Sequence, residues 1–323
     1  MKAMKRFVLA AVLAVAVLPL SAQGPRFDAF YTFGDSLADS GNVFLATQQL
    51  GFNPAIPPAQ TYFHGRFSNG PNAFDYLWSA LTAGTGVLQP IVAAPQLDGT
   101  DAVSLAFGGS GTGFVNNSPG GFPVIGLKGQ VALFAGALAG HRPSSHALYG
   151  IISGANDYIQ QDPLSPEEVV SNIGQSIQLL YFLRARNIIV VNLPDLGRTP
   201  IAFSGLPVVP PSGVLTELSA DHNKLLSKTL KQLGKTFPGL NLIEIDVNAI
   251  LGSVPPGVDP ITPALAAYFQ PGASLCLFVN PGGCPDASGL FNHTLPFVFW
   301  DAEHPTTAVH GALAAYMLTK VPH

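Results

Sequence analysis

The sequence predicts a three-layer α/β/α sandwich built on a doubly wound parallel sheet. Short runs of apolar and β-branched residues alternate along the chain with longer stretches of helical periodicity. Several of these runs end in glycine or small polar residues, as strands do when they approach a site at the edge of a sheet. The length of 323 residues suits one sizeable α/β domain or two small ones, and the sequence shows no internal repeat or linker, so one domain is expected.

Five strands are predicted from short apolar runs. They cover residues 27–33, 102–107, 147–152, 188–193 and 242–247. The fourth run is rich in isoleucine and valine, which is typical of a parallel strand buried on both faces. The alternation of these runs with helices favours a parallel sheet covered on both sides.

Three helices separate or follow these strands. The first opens at Ser165, which can cap it, and at Pro166, which suits a first helical turn, and it ends at Asn187. The other two cover residues 215–237 and 305–318. The stretches 43–100 and 251–300 are rich in proline, glycine and aromatic residues, and we expect them to be loops and insertions.

The N-terminus has the pattern of a secretory signal peptide. Lys2, Lys5 and Arg6 precede an apolar run over 7–18, and small residues follow up to Ala22. The run is too short for a comfortable membrane span, and no later segment is long and apolar enough to cross a bilayer. We therefore expect a signal peptide over residues 1–22, one mature domain over 23–323, and a secreted or periplasmic protein.

Charge and cysteine content exclude several functions. Acidic residues slightly outnumber basic ones, 19 to 15, and no basic stripe is present, so nucleic acid is not an expected partner. The two cysteines, Cys276 and Cys284, favour a small disulfide loop in an oxidising compartment. Two cysteines without a histidine pair make a poor zinc site, and no metal or cofactor is expected. The oligomeric state is left open.

Four segments carry polar residues where strands end or a helix begins. They are Gly34-Asp35-Ser36, Gly108-Gly109-Ser110-Gly111, Gly154-Ala155-Asn156-Asp157 and Asp301-Ala302-Glu303-His304. In an open parallel sheet, sites form at the carboxyl ends of the strands. These segments are therefore expected to meet.

Their residue types fit acyl transfer. A serine such as Ser36 becomes a nucleophile when a histidine takes its proton and a carboxylate holds that histidine. His304 and Asp301, three residues apart ahead of a helix, fit these two roles. The oxyanion of the intermediate needs preorganised donors. The backbone N–H groups of Ser36 and Gly109 and the side-chain amide of Asn156 are the candidates.

The sequence resembles the GDSL or SGNH-type lipases and esterases. The matching segments are FGDSLADSGN, LAFGGSGTG, SGANDY and FWDAEHPT, with HGRFSNGPNAFDYL and NLPDLGRTP as secondary signatures of the branch that contains exported bacterial and plant-type enzymes. The resemblance runs from about residue 27 to the end of the chain. It implies a flavodoxin-like sheet, Ser36 as nucleophile, Asp301 and His304 as its partners, and Asn156 as an oxyanion donor. In the second segment Gly109 is the matching glycine, Gly108 is the near alternative, and Ser104 stands where the family usually has asparagine.

Other interpretations compete with a secreted carboxylesterase or lipase. Each segment alone could be a turn, since Asp, Ser, Gly and Asn favour turns. An acyltransferase or phospholipase would share every residue named, and a non-catalytic binding protein could retain the fold. Small-molecule and lipid esters are the expected substrates, with chain length and alcohol part open. The loop aromatics either line an acyl pocket or pack in the core; they are Phe44, Phe52, Tyr62, Phe63, Phe278 and Phe291.

Overall fold

The computed structural model describes residues 26–117, 122–159, 163–248 and 299–322. The predicted signal peptide over residues 1–22, both cysteines of the predicted disulfide (Cys276 and Cys284), and nearly all of the stretch 251–300 lie outside these ranges.

The central sheet has the predicted parallel topology. Within the described ranges it contains six strands, all paired in parallel, in the spatial order β2-β3-β1-β6-β7-β8. They are β1 (Ala29–Gly34), β2 (Gln89–Pro90), β3 (Ala102–Ser104), β6 (Ala147–Ile152), β7 (Asn187–Val191) and β8 (Asn241–Ile245). A separate antiparallel pair joins β4 (Val115–Asn117) to β5 (Pro123–Ile125). The order reverses direction at β1, so its carboxyl end, just before Ser36, is the switch point where such sheets place ligands.

Helices cover both faces of this sheet, which confirms the three-layer architecture. They are α1 (Asn42–Gln49), α2 (Ala73–Leu81), α3 (Leu127–Ala137), α4 (Pro166–Phe182), α5 (Ser212–Thr236) and α6 (Thr307–Lys320). Side chains of β1 alternate between two cores, as strand geometry requires. Tyr31 and Phe33 pack on Phe134 of α3. Phe30 packs on Phe74 and Trp78 of α2, in the core that α6 also joins.

The helix predicted from Ser165 begins as expected. The Ser165 hydroxyl accepts the backbone N–H of Glu168, and Pro166 occupies the first helical position. Val169, Ile173 and Ile177 are buried against the sheet. The capping residues and the 3.6-residue periodicity therefore predicted both the start and the buried face of α4.

The end of α4 differs from the prediction. The helix ends at Phe182 and not at the predicted Asn187, which is the first residue of β7. Arg184 adopts the left-handed conformation that commonly follows a helix end.

The expectation that residues 43–100 form loops is wrong for three stretches, which contain α1, α2 and the two-residue strand β2. Helix α2 begins with a capping box: the Asn72 side chain accepts the N–H groups of Phe74 and Asp75, and the Asp75 carboxylate accepts that of Asn72. Both helices are short, eight and nine residues. Their apolar positions therefore repeat too few times to stand out among the surrounding glycines and prolines.

Candidate active site

Ser36 lies on the turn that directly follows β1. Gly34 ends the strand with φ +132°, and a Cβ there would lie 1.6 Å from the carbonyl oxygen of Ile152, so the position requires glycine. Asp35 closes the turn, because its carboxylate accepts the N–H of Leu37 while its carbonyl oxygen accepts those of two later residues. The Ser36 side chain is half-buried. Its N–H makes no backbone or side-chain hydrogen bond within the described part of the chain.

His304 connects the serine to a carboxylate. Its Nε2 lies 2.8 Å from Ser36 Oγ, and its Nδ1 lies 2.7 Å from Asp301 Oδ2 and 2.9 Å from Oδ1. Asp301 and His304 are both buried, and the imidazole ring packs at a tilt against Phe67. With its Nδ1 proton donated to Asp301, the ring presents Nε2 as the acceptor for the hydroxyl proton of Ser36.

The Asp301 carboxylate is held from several sides. Its Oδ1 also accepts the backbone N–H groups of Glu303 and His304, both at 2.8 Å. Its Oδ2 accepts the Tyr62 hydroxyl at 2.7 Å. Sequence reasoning treated Tyr62 only as a pocket or core aromatic. The structure buries this tyrosine, as the core interpretation predicts, and its hydroxyl also binds a carboxylate that lies 239 positions away in the chain.

The two partners stabilise each other's charged forms. Burial alone would raise the pKa of Asp301, but the charge and hydrogen bond of His304 bring the pKa below its ordinary value. Burial alone would lower the pKa of His304, but the Asp301 carboxylate brings it above its ordinary value of 6.5. The site therefore favours an ionised carboxylate and a basic imidazole.

Two of the predicted oxyanion donors, the Asn156 amide and the Gly109 N–H, lie in the segments that follow the two strands neighbouring β1. Asn156 lies on a 3₁₀ turn after β6 and gives one amide hydrogen to the carbonyl of Ser110 at 3.0 Å, which leaves the other hydrogen available. Gly109 has φ +80° and an N–H without an acceptor in the described ranges. The N–H of Gly108 is already donated to Asp39 Oδ2 at 2.9 Å. This bond favours Gly109 over Gly108 as the oxyanion glycine.

Two amide side chains that the sequence analysis missed brace these strand ends. Asn116 of β4 donates to the carbonyl of Gly109 at 2.7 Å and accepts the N–H of Gly111 at 2.8 Å. Gln130 of α3 accepts the N–H of Gly34 at 2.7 Å and donates to its carbonyl at 2.8 Å. Each amide therefore fixes the backbone next to a residue of the site.

Three buried aspartates around the site, Asp35, Asp39 and Asp157, also accept hydrogen bonds from backbone N–H groups. Asp39 accepts the N–H groups of Gly41, Asn42 and Val43 at the start of α1. Asp157 accepts the N–H and hydroxyl of Thr112. Burial raises the pKa of Asp35 to about 7 and the pKa values of Asp39 and Asp157 to about 6. Within the triad segment, burial likewise raises the pKa of Glu303.

A cavity of about 90 Å³ opens beside Ser36, Asn156 and His304. Its walls are mainly apolar side chains from the ends of β6, β7 and β8 and from α6. Phe299 is the aromatic residue of the described lining, whereas the aromatics proposed from the loop 43–100 lie elsewhere. In the described ranges, the helices are too short or too polar to span a bilayer.

The site has a serine, a histidine and a carboxylate joined by hydrogen bonds at the carboxyl edge of a parallel sheet. This arrangement defines the class of serine-type hydrolases. The family model for the GDSL-like lipases and acylhydrolases matches residues 30–317. The chain belongs to this family, and it is a carboxylic ester hydrolase.

Individual relatives align with most of the chain. A GDSL esterase/lipase of Arabidopsis thaliana is 28% identical over 337 residues, which cover 92% of this chain and 88% of the relative. A phosphatidylcholine-sterol acyltransferase of Aeromonas hydrophila is 27% identical, with 96% and 95% of the two chains covered. The solved structure of Est24, a carbohydrate acetylesterase from Sinorhizobium meliloti, superposes with a TM-score of 0.45 at 15% identity, covering 90% of this chain and 97% of that one.

Proposed function

We propose that the chain is a secreted serine esterase or lipase that works through an acyl-enzyme on Ser36. His304 is the general base, Asp301 orients and stabilises its imidazolium, and the oxyanion is bound by the Ser36 N–H, the Gly109 N–H and the Asn156 amide. The observation that carries this proposal is the 2.8 Å contact between His304 Nε2 and Ser36 Oγ, with Asp301 on the opposite ring nitrogen. None of these roles requires a metal or cofactor.

The reaction proceeds in two stages, acylation of Ser36 and hydrolysis of the acyl-enzyme. Ser36 Oγ forms a bond to the ester carbonyl carbon while its proton passes to His304 Nε2. The carbon–oxygen bond to the alcohol then breaks, and the alcohol leaves with that proton. Water next adds to the acyl carbon and gives a proton to His304. The bond between that carbon and Ser36 Oγ then breaks, so that the acid leaves while the proton returns from His304 to Ser36 Oγ.

A panel of chromogenic esters of increasing chain length tests this proposal. Wild type is expected to hydrolyse at least one ester, and Ser36→Ala is expected to remain folded without turnover, because the half-exposed hydroxyl contributes little packing. Comparable turnover in the wild type and the variant would contradict the assignment of Ser36. The same panel identifies the preferred acyl length.

Acyl transfer is the second candidate, and the similarity to a phosphatidylcholine-sterol acyltransferase supports it. The two activities differ only in whether an alcohol outcompetes water for the acyl-enzyme. Product analysis with an added acceptor alcohol distinguishes them. A new ester would indicate transfer, and free acid alone would indicate hydrolysis.

Export is the remaining part of the proposal and rests on the N-terminal sequence. Expression with the native leader is expected to yield a mature chain that begins near Gln23 outside the cytoplasm. Mass spectrometry of the exported protein measures its first residue. An unprocessed chain that stays in the cytoplasm would contradict the signal-peptide assignment.

A further inference from the structure

The cavity beside Ser36 contains a histidine that the proposed reaction does not use. His310 lies on α6, is 2% exposed and lines the cavity together with Val309 and Leu313 of the same helix. Neither of its ring nitrogens makes a hydrogen bond to another residue in the described ranges. Nδ1 is fully buried, so Nε2 is the nitrogen that can reach a ligand in the cavity. Buried polar groups are usually paired, so an unpaired imidazole at a cavity wall points to a ligand.

The remaining walls restrict the chemistry of that ligand. Ile152, Val191 and Val247 come from the strand ends and are apolar. The volume of about 90 Å³ is smaller than the ~150 Å³ of an apolar cavity that holds benzene. The small volume and the apolar walls therefore favour a short aliphatic group.

The titratable residues around the cavity restrict the chemistry of the ligand further. Asp35 and Glu303 also line the cavity, and these two acidic residues disfavour a substituent that carries its own carboxylate. Burial lowers the pKa of His310 to about 4, so its ring is neutral at ordinary pH. A neutral imidazole offers one donor and one acceptor, which match a hydroxyl or carbonyl oxygen.

We propose that this cavity binds a short aliphatic part of the ester that carries a neutral oxygen function, and that His310 hydrogen-bonds to that oxygen. His310 is thereby a specificity-determining residue. The inference rests on the proposed esterase function and adds the substrate class: esters with a hydroxy- or oxo-substituted chain of a few carbons.

Matched ester pairs test the inference. On the acyl side, the 3-hydroxybutyrate and butyrate esters of one phenol are compared. On the alcohol side, 3-hydroxybutyl acetate and butyl acetate are compared. A site built to hydrogen-bond an oxygen discriminates against the analogue that lacks it, so wild type is expected to prefer the oxygenated member of one pair by about ten- to a hundredfold in kcat/KM. The pair that shows the preference identifies which half of the ester enters the cavity.

Variants assign the preference to His310. His310→Leu is expected to bring the ratio within a pair to about one, because leucine has no hydrogen-bonding group. His310→Gln is expected to retain part of the preference. Val309→Ala, which enlarges the same wall without changing its polarity, is expected to leave the ratio unchanged.

The outcomes separate the two proposals. Hydrolysis by wild type with ratios near one in both pairs would overturn the inference on His310 and leave the esterase assignment intact. An unchanged ratio in folded His310→Leu would also overturn it. If that variant does not fold, the wild-type ratios alone decide. Failure of wild type to hydrolyse any ester would overturn the proposed function and this inference with it.

Discussion

At the residue scale, the site joins two side chains that are 268 positions apart, Ser36 and His304. Sequence reasoning could propose this pair because serine, histidine and aspartate at strand ends form a chemically specific set. The roles of Tyr62 and Asn116 could not be predicted from the sequence, since a tyrosine or an asparagine in a loop has many ordinary roles. Their contacts with Asp301 and Gly109 depend on how distant segments pack, which no local pattern contains.

The two hydrogen bonds between Asn116 and the backbone of Gly109 and Gly111 form a clamp. We expect this clamp to affect catalysis although Asn116 does not contact the substrate. Asn116→Ala releases the Gly109 carbonyl and the Gly111 N–H, so the Gly109 N–H should lose its fixed direction. We expect kcat to fall about tenfold at an unchanged KM, as is usual for supporting hydrogen bonds. Asn156→Ala, which removes a donor itself, is expected to cost about 10²–10³ in kcat.

Val115→Ala is the matched control for Asn116, because Val115 lies on the same strand and is 61% exposed. It should leave kcat unchanged. A change in KM alone for Asn116→Ala would place this residue in substrate binding. An unaltered kcat would show that the clamp does not act on the oxyanion site.

The pH profile should report the His304–Asp301 pair. The base must be neutral to accept the Ser36 proton, so activity should fall as the pH drops through the pKa of His304. Although burial opposes it, Asp301 holds that pKa above 6.5. Asp301→Asn removes the negative charge, so the midpoint of the acid limb should move to lower pH while the maximal rate decreases. An unmoved midpoint would show that Asp301 does not act through His304.

At the element scale, length and periodicity decided what could be predicted. Strand β6 matches its predicted bounds, and α4 and α5 have long apolar faces that repeat over several turns. Helices α1 and α2 have only about two turns each, and α2 depends on its capping box. The polar pattern Asn72-x-x-Asp75 was a local signal for its start. The helix periodicity that would have completed the prediction was too short.

Removal of the α2 cap should lower the free energy of unfolding. Asn72 accepts two helix N–H groups and donates to the Asp39 carbonyl and the Ser40 hydroxyl. Asn72→Ala is therefore expected to cost ~2 kcal/mol, the upper end for a cap. The exposed cap Ser165, with its single bond to Glu168, is the control, and Ser165→Ala should cost close to ~0.5 kcal/mol. Equal losses in urea unfolding would contradict the added role of Asn72.

At the scale of the whole molecule, the site forms only where distant parts of the chain meet. The segment that contains Asp301 and His304 is fastened to the region before α2. Asn69 Oδ1 accepts the N–H of Thr307 at 2.8 Å, and the Ser68 hydroxyl donates to the carbonyl of Pro305 at 2.9 Å. The sequence predicted that the strand ends would converge, since that follows from a parallel sheet. The two hydrogen bonds that fasten the segment could not be predicted from the sequence, because they depend on the packing of α2 against α6.

This fastening predicts that activity and fold are lost together. Esterase activity and far-UV circular dichroism should have the same midpoint in urea, because release of the histidine segment breaks buried hydrogen bonds that belong to the folded core. Activity that disappears at clearly lower urea than the dichroism signal would show that this segment opens on its own.

Labelling with a serine-reactive phosphonate tests the central claim most directly, namely that Ser36 is a nucleophile activated by His304. The account predicts one phosphonyl group per chain on the peptide that contains Ser36, no label in Ser36→Ala, and much slower labelling in folded His304→Ala. A wild-type protein that hydrolyses esters but acquires the label on another residue, or remains unlabelled, would contradict it.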